Sequence, residues 1–225
     1  MPRVVELVIF DCDGTLVDSQ AGIVAAMVQA FSAHGLEPPT VAAIVHQIGL
    51  SLDRAVANLA SEGNAETRAR LVEGYRRAFA ELQREQTVVE PLYGGVVETL
   101  DRLDTAGVLA GVATGKRLRG LRATLARHGL EDRFVTLQTA DQGPGKPHPA
   151  MLERAIAEAG SEAALTCMVG DTTFDIEMAQ AAGVSAIGVS WGYHPVAALR
   201  AAGAEAIIDD WRELPAVVGI EMEPR

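Results

Sequence analysis

The sequence predicts an α/β fold: a doubly wound, mainly parallel sheet with an inserted helical module. Short apolar segments alternate with longer helical patterns over most of the 225 residues, and this rhythm is typical of a sheet covered by helices on both faces. Several apolar segments show no polar alternation, as expected for strands buried on both sides. One long block contains no strand-like segment, which indicates an insertion.

Six segments are predicted to be strands because each is short and rich in Val, Ile, Leu or Met. They are Val4–Phe10, Val108–Thr114, Phe134–Leu137, Thr166–Val169, Ala186–Val189 and Ala206–Ile208. The helical patterns between them are Val96–Thr105, Leu118–His128, Pro149–Ala159 and Phe174–Ala182. A glycine follows each helical pattern where a C-cap is expected.

The strand-free block runs from Ser19 to Thr87 and is too long for a plain connection between a strand and a helix. We therefore expect a helical cap at residues 18–87 and a core formed by residues 1–17 and 88–225; the alternative is one larger domain. Closure of the cap over the core would turn on hinges near Val17–Gln20 and Val88–Leu92.

Composition excludes several classes of protein. The 19 Lys and Arg residues against 30 Asp and Glu give a net charge of −11, which argues against nucleic acid as the partner. Two cysteines indicate a reduced, cytoplasmic protein rather than a disulfide framework. The amino-terminal residues show no signal-peptide pattern, and no apolar segment approaches the roughly 18 residues that span a membrane.

Acidic pairs follow two of the predicted strands. Asp11 and Asp13 come directly after the first strand, and Asp171 and Asp175 come after the fourth. Ligands of open α/β sheets bind at the carboxyl ends of the strands, and a bound cation would offset the repulsion between buried acids. Asp175 has an alternative use in the first turn of the next helix, if a threonine before it caps that helix.

Two further segments hold groups suited to phosphate. The second strand ends at Thr114 and Gly115, whose hydroxyl and backbone amides suit phosphoryl oxygens. A Walker site is excluded because only three residues separate Gly111 from Gly115. Lys146 is fixed in a proline-rich loop before a helix, and the only other lysine is Lys116.

Taken together, DCDGTLVDS, the strand-end Thr114, GKPHP and GDTTFD resemble the haloacid dehalogenase (HAD) superfamily of phosphatases, in the same order and context. The resemblance covers almost the whole chain and is greatest to the phosphoglycolate phosphatase-like branch, which has a small helical cap. It implies a Rossmann-like core and a phosphoric monoester hydrolase that uses Mg²⁺.

The resemblance also implies roles for individual residues. Asp11 would be the nucleophile that becomes a phosphoaspartate, and Asp13 the general acid and base. Mg²⁺ would be held by Asp11, the backbone carbonyl of Asp13 and Asp171, with Asp175 orienting metal-bound water or Lys146. The implied phosphate-binding residues are Asp11, Cys12, Asp13, Thr114, Gly115 and Lys146, of which Thr114 and Lys146 are also counted as catalytic.

In the cap, His46 and Arg54 are candidate substrate contacts, while the Trp191–Pro195 segment is interpreted as a loop at the rim. The expected partner is a small phosphorylated metabolite, with 2-phosphoglycolate first; the oligomeric state, monomer or homodimer, stays open. Pyrophosphatase, nucleotidase or broad sugar-phosphate phosphatase activity needs no different core residue. Phosphosugar mutases of this family carry a basic residue after a Gly-x-Ser turn in the cap; here Leu52 follows that turn, which disfavours a mutase. A non-catalytic binding protein is disfavoured because such a protein need not retain buried acids that repel each other.

Overall fold

The computed structural model describes residues 5–85 and 89–220 and contains one six-stranded sheet. Every neighbouring pair of strands is parallel, and the strand order is β3-β2-β1-β4-β5-β6. The strands are β1 (Leu7–Phe10), β2 (Leu109–Thr114), β3 (Thr136–Thr139), β4 (Thr166–Gly170), β5 (Ser185–Val189) and β6 (Ala206–Ile208). The doubly wound α/β fold is therefore confirmed.

The prediction for β3 was displaced towards the amino terminus by two residues. Val135 is 52% exposed, whereas the sheet register pairs Gly111 with Thr136 and Thr114 with Thr139. The polar Gln138 and Thr139 belong to the strand because their side chains hydrogen-bond inside the protein. Apolar content alone could not place them. Val4, the predicted start of β1, lies outside the described residues.

The described residues form ten α-helices. They are α1 (Gln20–Ala33), α2 (Val41–Val45), α3 (Leu52–Leu59), α4 (Ala65–Arg84), α5 (Val96–Thr105), α6 (Leu118–Arg127), α7 (Ala150–Ala159), α8 (Thr173–Ala182), α9 (Val196–Ala201) and α10 (Leu214–Val217). The prediction for α5 is met at both ends, and those for α6, α7 and α8 to within one residue. Among the described residues, no helix has the length and apolar character to cross a membrane.

Two apolar clusters cover the two faces of the sheet. Val8 and Phe10 belong to one cluster, with Leu100 of α5. Leu7 and Ile9 belong to the other. Successive residues of a strand point to opposite faces, so a strand with apolar residues at every position is buried on both sides.

Helices α1 to α4 have an apolar centre of their own. Their buried cluster consists of Met27, Phe31, Ile44, Val56, Leu71 and Val72. In the part of the chain that the structure describes, the expected helical block thus lies between β1 and α5. Its division from the core as a separate domain remains a prediction, and Thr87 and Val88 at its boundary lie outside the described residues.

Candidate active site

Three carboxylates meet at the carboxyl ends of β1 and β4. Asp11 follows β1 and Asp171 follows β4, and these strands are adjacent and parallel, with Phe10 opposite Val169. One carboxylate oxygen each of Asp11, Asp171 and Asp175 lies within 4.8 Å of the others, and all three residues are fully buried. The two acidic motifs that are 160 residues apart in the chain at Asp11 and Asp171 therefore share one site.

Lys146 lies between two of these acids. Its Nζ atom is 2.7 Å from Asp11 Oδ1 and 2.6 Å from Asp175 Oδ1, and all three side chains are fully buried. Burial by itself lowers the pKa of the Lys146 ammonium, but the two carboxylates outweigh it and raise that pKa above its usual range. Lys146 is thus a fixed positive charge beside Asp11.

Asp175 serves the site and the helix with different oxygens. Oδ1 faces Lys146, while Oδ2 accepts hydrogen bonds from the backbone N–H of Thr172 at 3.0 Å and from its hydroxyl at 2.8 Å. This is a capping box at the start of α8. The helix-capping use considered for Asp175 is therefore present together with a contact to Lys146, and the capping box fixes the orientation in which Oδ1 meets the lysine.

Asp171 is oriented by two groups from distant segments. Its Oδ1 atom accepts from the Thr15 hydroxyl at 2.9 Å, and Oδ2 accepts from the backbone N–H of Tyr193 at 2.9 Å. The interpretation of Trp191–Pro195 as a rim loop was incomplete because this loop donates directly to a site carboxylate. Thr15 lies within the DCDGTLVDS motif and could have been suspected; nothing near Tyr193 in the sequence marks its contact.

The acid cluster has the charge and the donor atoms for a divalent cation. Asp11 Oδ2 is buried and has no hydrogen-bond partner among the described residues. With one ammonium against three carboxylates, the cluster carries two excess negative charges when all groups are ionised. Burial raises the pKa of Asp11 to about 7, against the lowering influence of Lys146, and it raises the pKa of Asp171 well above its usual value. A hard cation with oxygen ligands would relieve both costs.

Asp13 lies in a different environment from the three clustered acids. Its Oδ1 atom accepts hydrogen bonds from the Ser19 hydroxyl and from Lys116 Nζ, the latter at 2.5 Å. Lys116 also lies 3.2 Å from Glu90 Oε1. Sequence reasoning missed both partners of Asp13 and the contact of Lys116 with Glu90; its one relevant signal was that Lys116 is the second of only two lysines.

The predicted phosphate-binding residues Thr114, Gly115 and Cys12 have different surroundings. Thr114 is fully buried at the end of β2, and its hydroxyl accepts from the backbone N–H of Lys116 at 3.2 Å. Gly115 lies beneath the cap, since a β-carbon there would be 2.7 Å from the carbonyl oxygen of Gly49. The Cys12 side chain packs in the apolar core, where burial raises the pKa of its thiol.

The two cap candidates differ in their contacts. The His46 ring lies 4.6 Å from the His194 ring, centre to centre, and its backbone carbonyl is 3.2 Å from His194 Nε2. His46 therefore contacts His194 in the segment that follows β5, and its role as a substrate contact stays a prediction. Arg54 is exposed on α3, and within the described residues no hydrogen bond or ion pair joins it to the acids.

Comparison with known proteins identifies the family. The model of the haloacid dehalogenase-like hydrolases matches residues 8–189, which is most of the chain. The chain belongs to the haloacid dehalogenase-like hydrolase family. This family and its enzyme class, a HAD phosphatase, are therefore as predicted from the four motifs.

Relatives of this HAD chain carry phosphatase names. A Dickeya dadantii protein named "Probable phosphatase IndB" is 39% identical over 213 residues, covering 92% of this chain and 91% of the relative. The phosphoglycolate phosphatase of Rhodospirillum rubrum is 34% identical, and the match covers 95% of this chain and 90% of the relative. The crystal structure of a hydrolase from Pseudomonas syringae superimposes with a TM-score of 0.82 at 27% identity. The match covers 93% of this chain and 95% of that hydrolase.

Proposed function

We propose that this HAD protein is a Mg²⁺-dependent phosphatase that hydrolyses a small phosphomonoester through a phosphoaspartate on Asp11. The observation that carries the proposal is the position of Asp11. One of its oxygens meets the Lys146 ammonium, while the other is buried without a partner among the described residues. A carboxylate held in this way is suited to act as a nucleophile beside a cation.

The reaction divides into two displacements at phosphorus. First, a bond forms between Asp11 and phosphorus as the bond to the leaving oxygen breaks, and Asp13 gives its proton to that oxygen. Water then attacks phosphorus while Asp13 takes back a proton, and the bond to Asp11 breaks. Phosphate is released, and both acids return to their starting states.

The metal and the neighbouring side chains would stabilise the charge on the phosphoryl group. The proposed ligands for Mg²⁺ are Asp11, Asp171 and the backbone carbonyl of Asp13; when bound, the cation would neutralise negative charge on the phosphoryl oxygens. Lys146 contributes a preorganised positive charge on the other side of Asp11, and Thr114 contributes a hydroxyl. Asp175 would act indirectly by fixing Lys146.

We propose 2-phosphoglycolate as the lead substrate. The phosphoglycolate phosphatase names of several relatives support it, as does the close approach of the cap. The backbone of Gly49 lies against Gly115, next to the phosphate-binding Thr114, which favours a small leaving group. We also propose that the enzyme is cytoplasmic, since the chain has only two cysteines, too few for a disulfide framework, and both are buried.

A substrate panel tests the proposal. kcat/KM would be measured with Mg²⁺ for 2-phosphoglycolate, sugar phosphates, a nucleoside monophosphate and pyrophosphate, with Asp11→Asn as the blank. A lead of tenfold or more for 2-phosphoglycolate, about 1.4 kcal/mol of transition-state discrimination, supports the narrow assignment. A flat profile, or another leading ester, would retain the chemistry and reject this substrate.

A further inference from the structure

The second lysine of the chain lies beside Asp13, the proposed general acid. Lys116 Nζ is 2.5 Å from Asp13 Oδ1 and 3.2 Å from Glu90 Oε1, and the lysine side chain is 12% exposed. It does not contact the Asp11 cluster through these bonds, where Lys146 already supplies the positive charge. Each lysine therefore contacts a different acid of the pair that follows β1: Lys146 contacts Asp11, and Lys116 contacts Asp13.

The Asp13 carboxylate is held at one oxygen from two directions. The Ser19 hydroxyl and Lys116 Nζ both donate to Oδ1. Ser19 is held in turn because its backbone N–H donates to the Tyr193 hydroxyl at 3.1 Å. Two donors at Oδ1 restrict the torsion of the carboxylate, and neither of them engages Oδ2.

Glu90 anchors the other end of this arrangement. It is almost fully buried, and its Oε2 atom accepts from Arg127 at 2.7 Å, while its backbone carbonyl lies 2.7 Å from His128 Nε2. Burial on its own raises the pKa of Glu90, but Lys116 and Arg127 outweigh it, so that pKa lies below its usual value. Glu90 is thus a fixed anion, and breaking a buried charged contact of this kind is costly.

Helix α4 of the cap also contacts Lys116. Lys116 Nζ lies 5.9 Å from the centre of the Phe79 ring on α4, and Phe79 stacks on Tyr75 with ring centres 5.7 Å apart. An ammonium over an aromatic face is attracted to it. Lys116 therefore has a defined place set by Asp13, Glu90 and α4 together.

We propose that Lys116 is a positioning residue for proton transfer: with Ser19 it holds the Asp13 carboxylate so that the free oxygen faces the leaving group. This inference rests on the proposed function, since it requires Asp13 to protonate that group. Misplacement of a general acid costs most where the leaving group needs the proton, and general acid catalysis typically contributes about 10²–10⁴-fold.

The test compares two leaving groups in Lys116→Met. The leaving group of an alkyl phosphate such as 2-phosphoglycolate is a basic alkoxide, which needs the proton. The leaving group of p-nitrophenyl phosphate is a stable phenolate, which does not. We expect kcat/KM to fall by about 100-fold for the alkyl ester and by less than about fivefold for the aryl ester. Lys116→Arg, which restores a cation, should recover part of the loss for the alkyl ester.

Two control variants accompany it. Lys146→Met removes the lysine beside the nucleophile and should lower kcat/KM for both esters alike. Arg117→Met removes an exposed neighbouring cation and should leave both unchanged. If Lys116→Met does not fold, Glu90→Gln, which removes the charged anchor, is judged by the same ratio, with a preferential loss of at least about threefold expected for the alkyl ester.

Equal losses for the two esters, or no loss for either, would overturn the positioning role. Failure of the proposed function has a separate signature. Turnover that survives in Asp11→Asn would reject the phosphoaspartate route whatever the lysine variants do.

Discussion

The backbone of Gly14 lies against the carboxylate of Asp171, so closely that a β-carbon at position 14 would overlap Asp171 Oδ2. The same β-carbon would lie 2.7 Å from Cε2 of Tyr193, and Gly14 has a φ of +85°. The turn after β1 is therefore packed directly against the acid that follows β4. Any side chain at position 14 must displace that acid.

Gly14→Ala should weaken metal binding. We expect the Mg²⁺ concentration for half-maximal activity to rise at least about tenfold, because Asp171 would move from its hydrogen bonds to Thr15 and Tyr193. The matched control is Gly35→Ala: its φ is +69°, and its β-carbon would meet nothing within 4 Å. Equal metal dependence in the two variants would show that only the backbone strain matters.

Mg²⁺ should stabilise the protein more at pH 8 than at pH 5.5. In the metal-free fold the pKa of Asp11 is raised from 3.8 to about 7, so the folded chain retains a proton that the unfolded chain releases at lower pH. Raising the pH from 4 through 7 therefore removes stability from the metal-free protein. The cation favours the ionised carboxylates and reverses this loss.

Melting temperatures measured with and without Mg²⁺ across this pH range check the linkage. Asp11→Asn has no titrating group at position 11 and should show a flatter difference. An upward shift by Mg²⁺ that is as large at pH 5.5 as at pH 8 in the wild type would contradict the assignment of Asp11 as a ligand.

Gly115→Ala should prevent the cap from seating. Its β-carbon would overlap the backbone oxygen of Leu50 and lie 2.7 Å from that of Gly49, so the 49–51 turn must move away. We expect kcat/KM to fall at least about tenfold and amide exchange at residues 49–51 to become faster.

Gly120→Ala is the control for that change. Gly120 lies within α6 and has nothing within 4 Å of its β-carbon, so alanine there should raise stability by up to about 1 kcal/mol and leave kcat/KM unchanged. Normal exchange at residues 49–51 in Gly115→Ala would argue against the close approach of the cap.

The acid cluster was predictable because parallel strands end at the same edge. Once Asp11 and Asp171 were assigned to strand ends, topology brought them together, and Lys146 entered through its motif. The bounds of most strands and helices followed from apolar runs and C-cap glycines, whereas β3 was misplaced because its buried residues are polar.

The hydrogen-bond partners of the acids were not predictable in the same way. Asp13 and Lys116 are 103 residues apart, and Asp171 meets the backbone of Tyr193 rather than its side chain. Backbone donors leave no mark in a sequence. Glu90 is a buried acid outside any motif, and its pairing with Arg127 and Lys116 depends on how α6 packs beside the connection that follows the cap.

Trapping the phosphoenzyme tests the central claim most directly. Turnover of a phosphomonoester with Mg²⁺ would be quenched in acid within milliseconds, the acyl phosphate reduced with borohydride, and the peptides mapped by mass spectrometry. The account predicts homoserine at position 11 in the wild type. It predicts neither homoserine nor turnover in Asp11→Asn. Reduction at another residue, or turnover by Asp11→Asn, would contradict it.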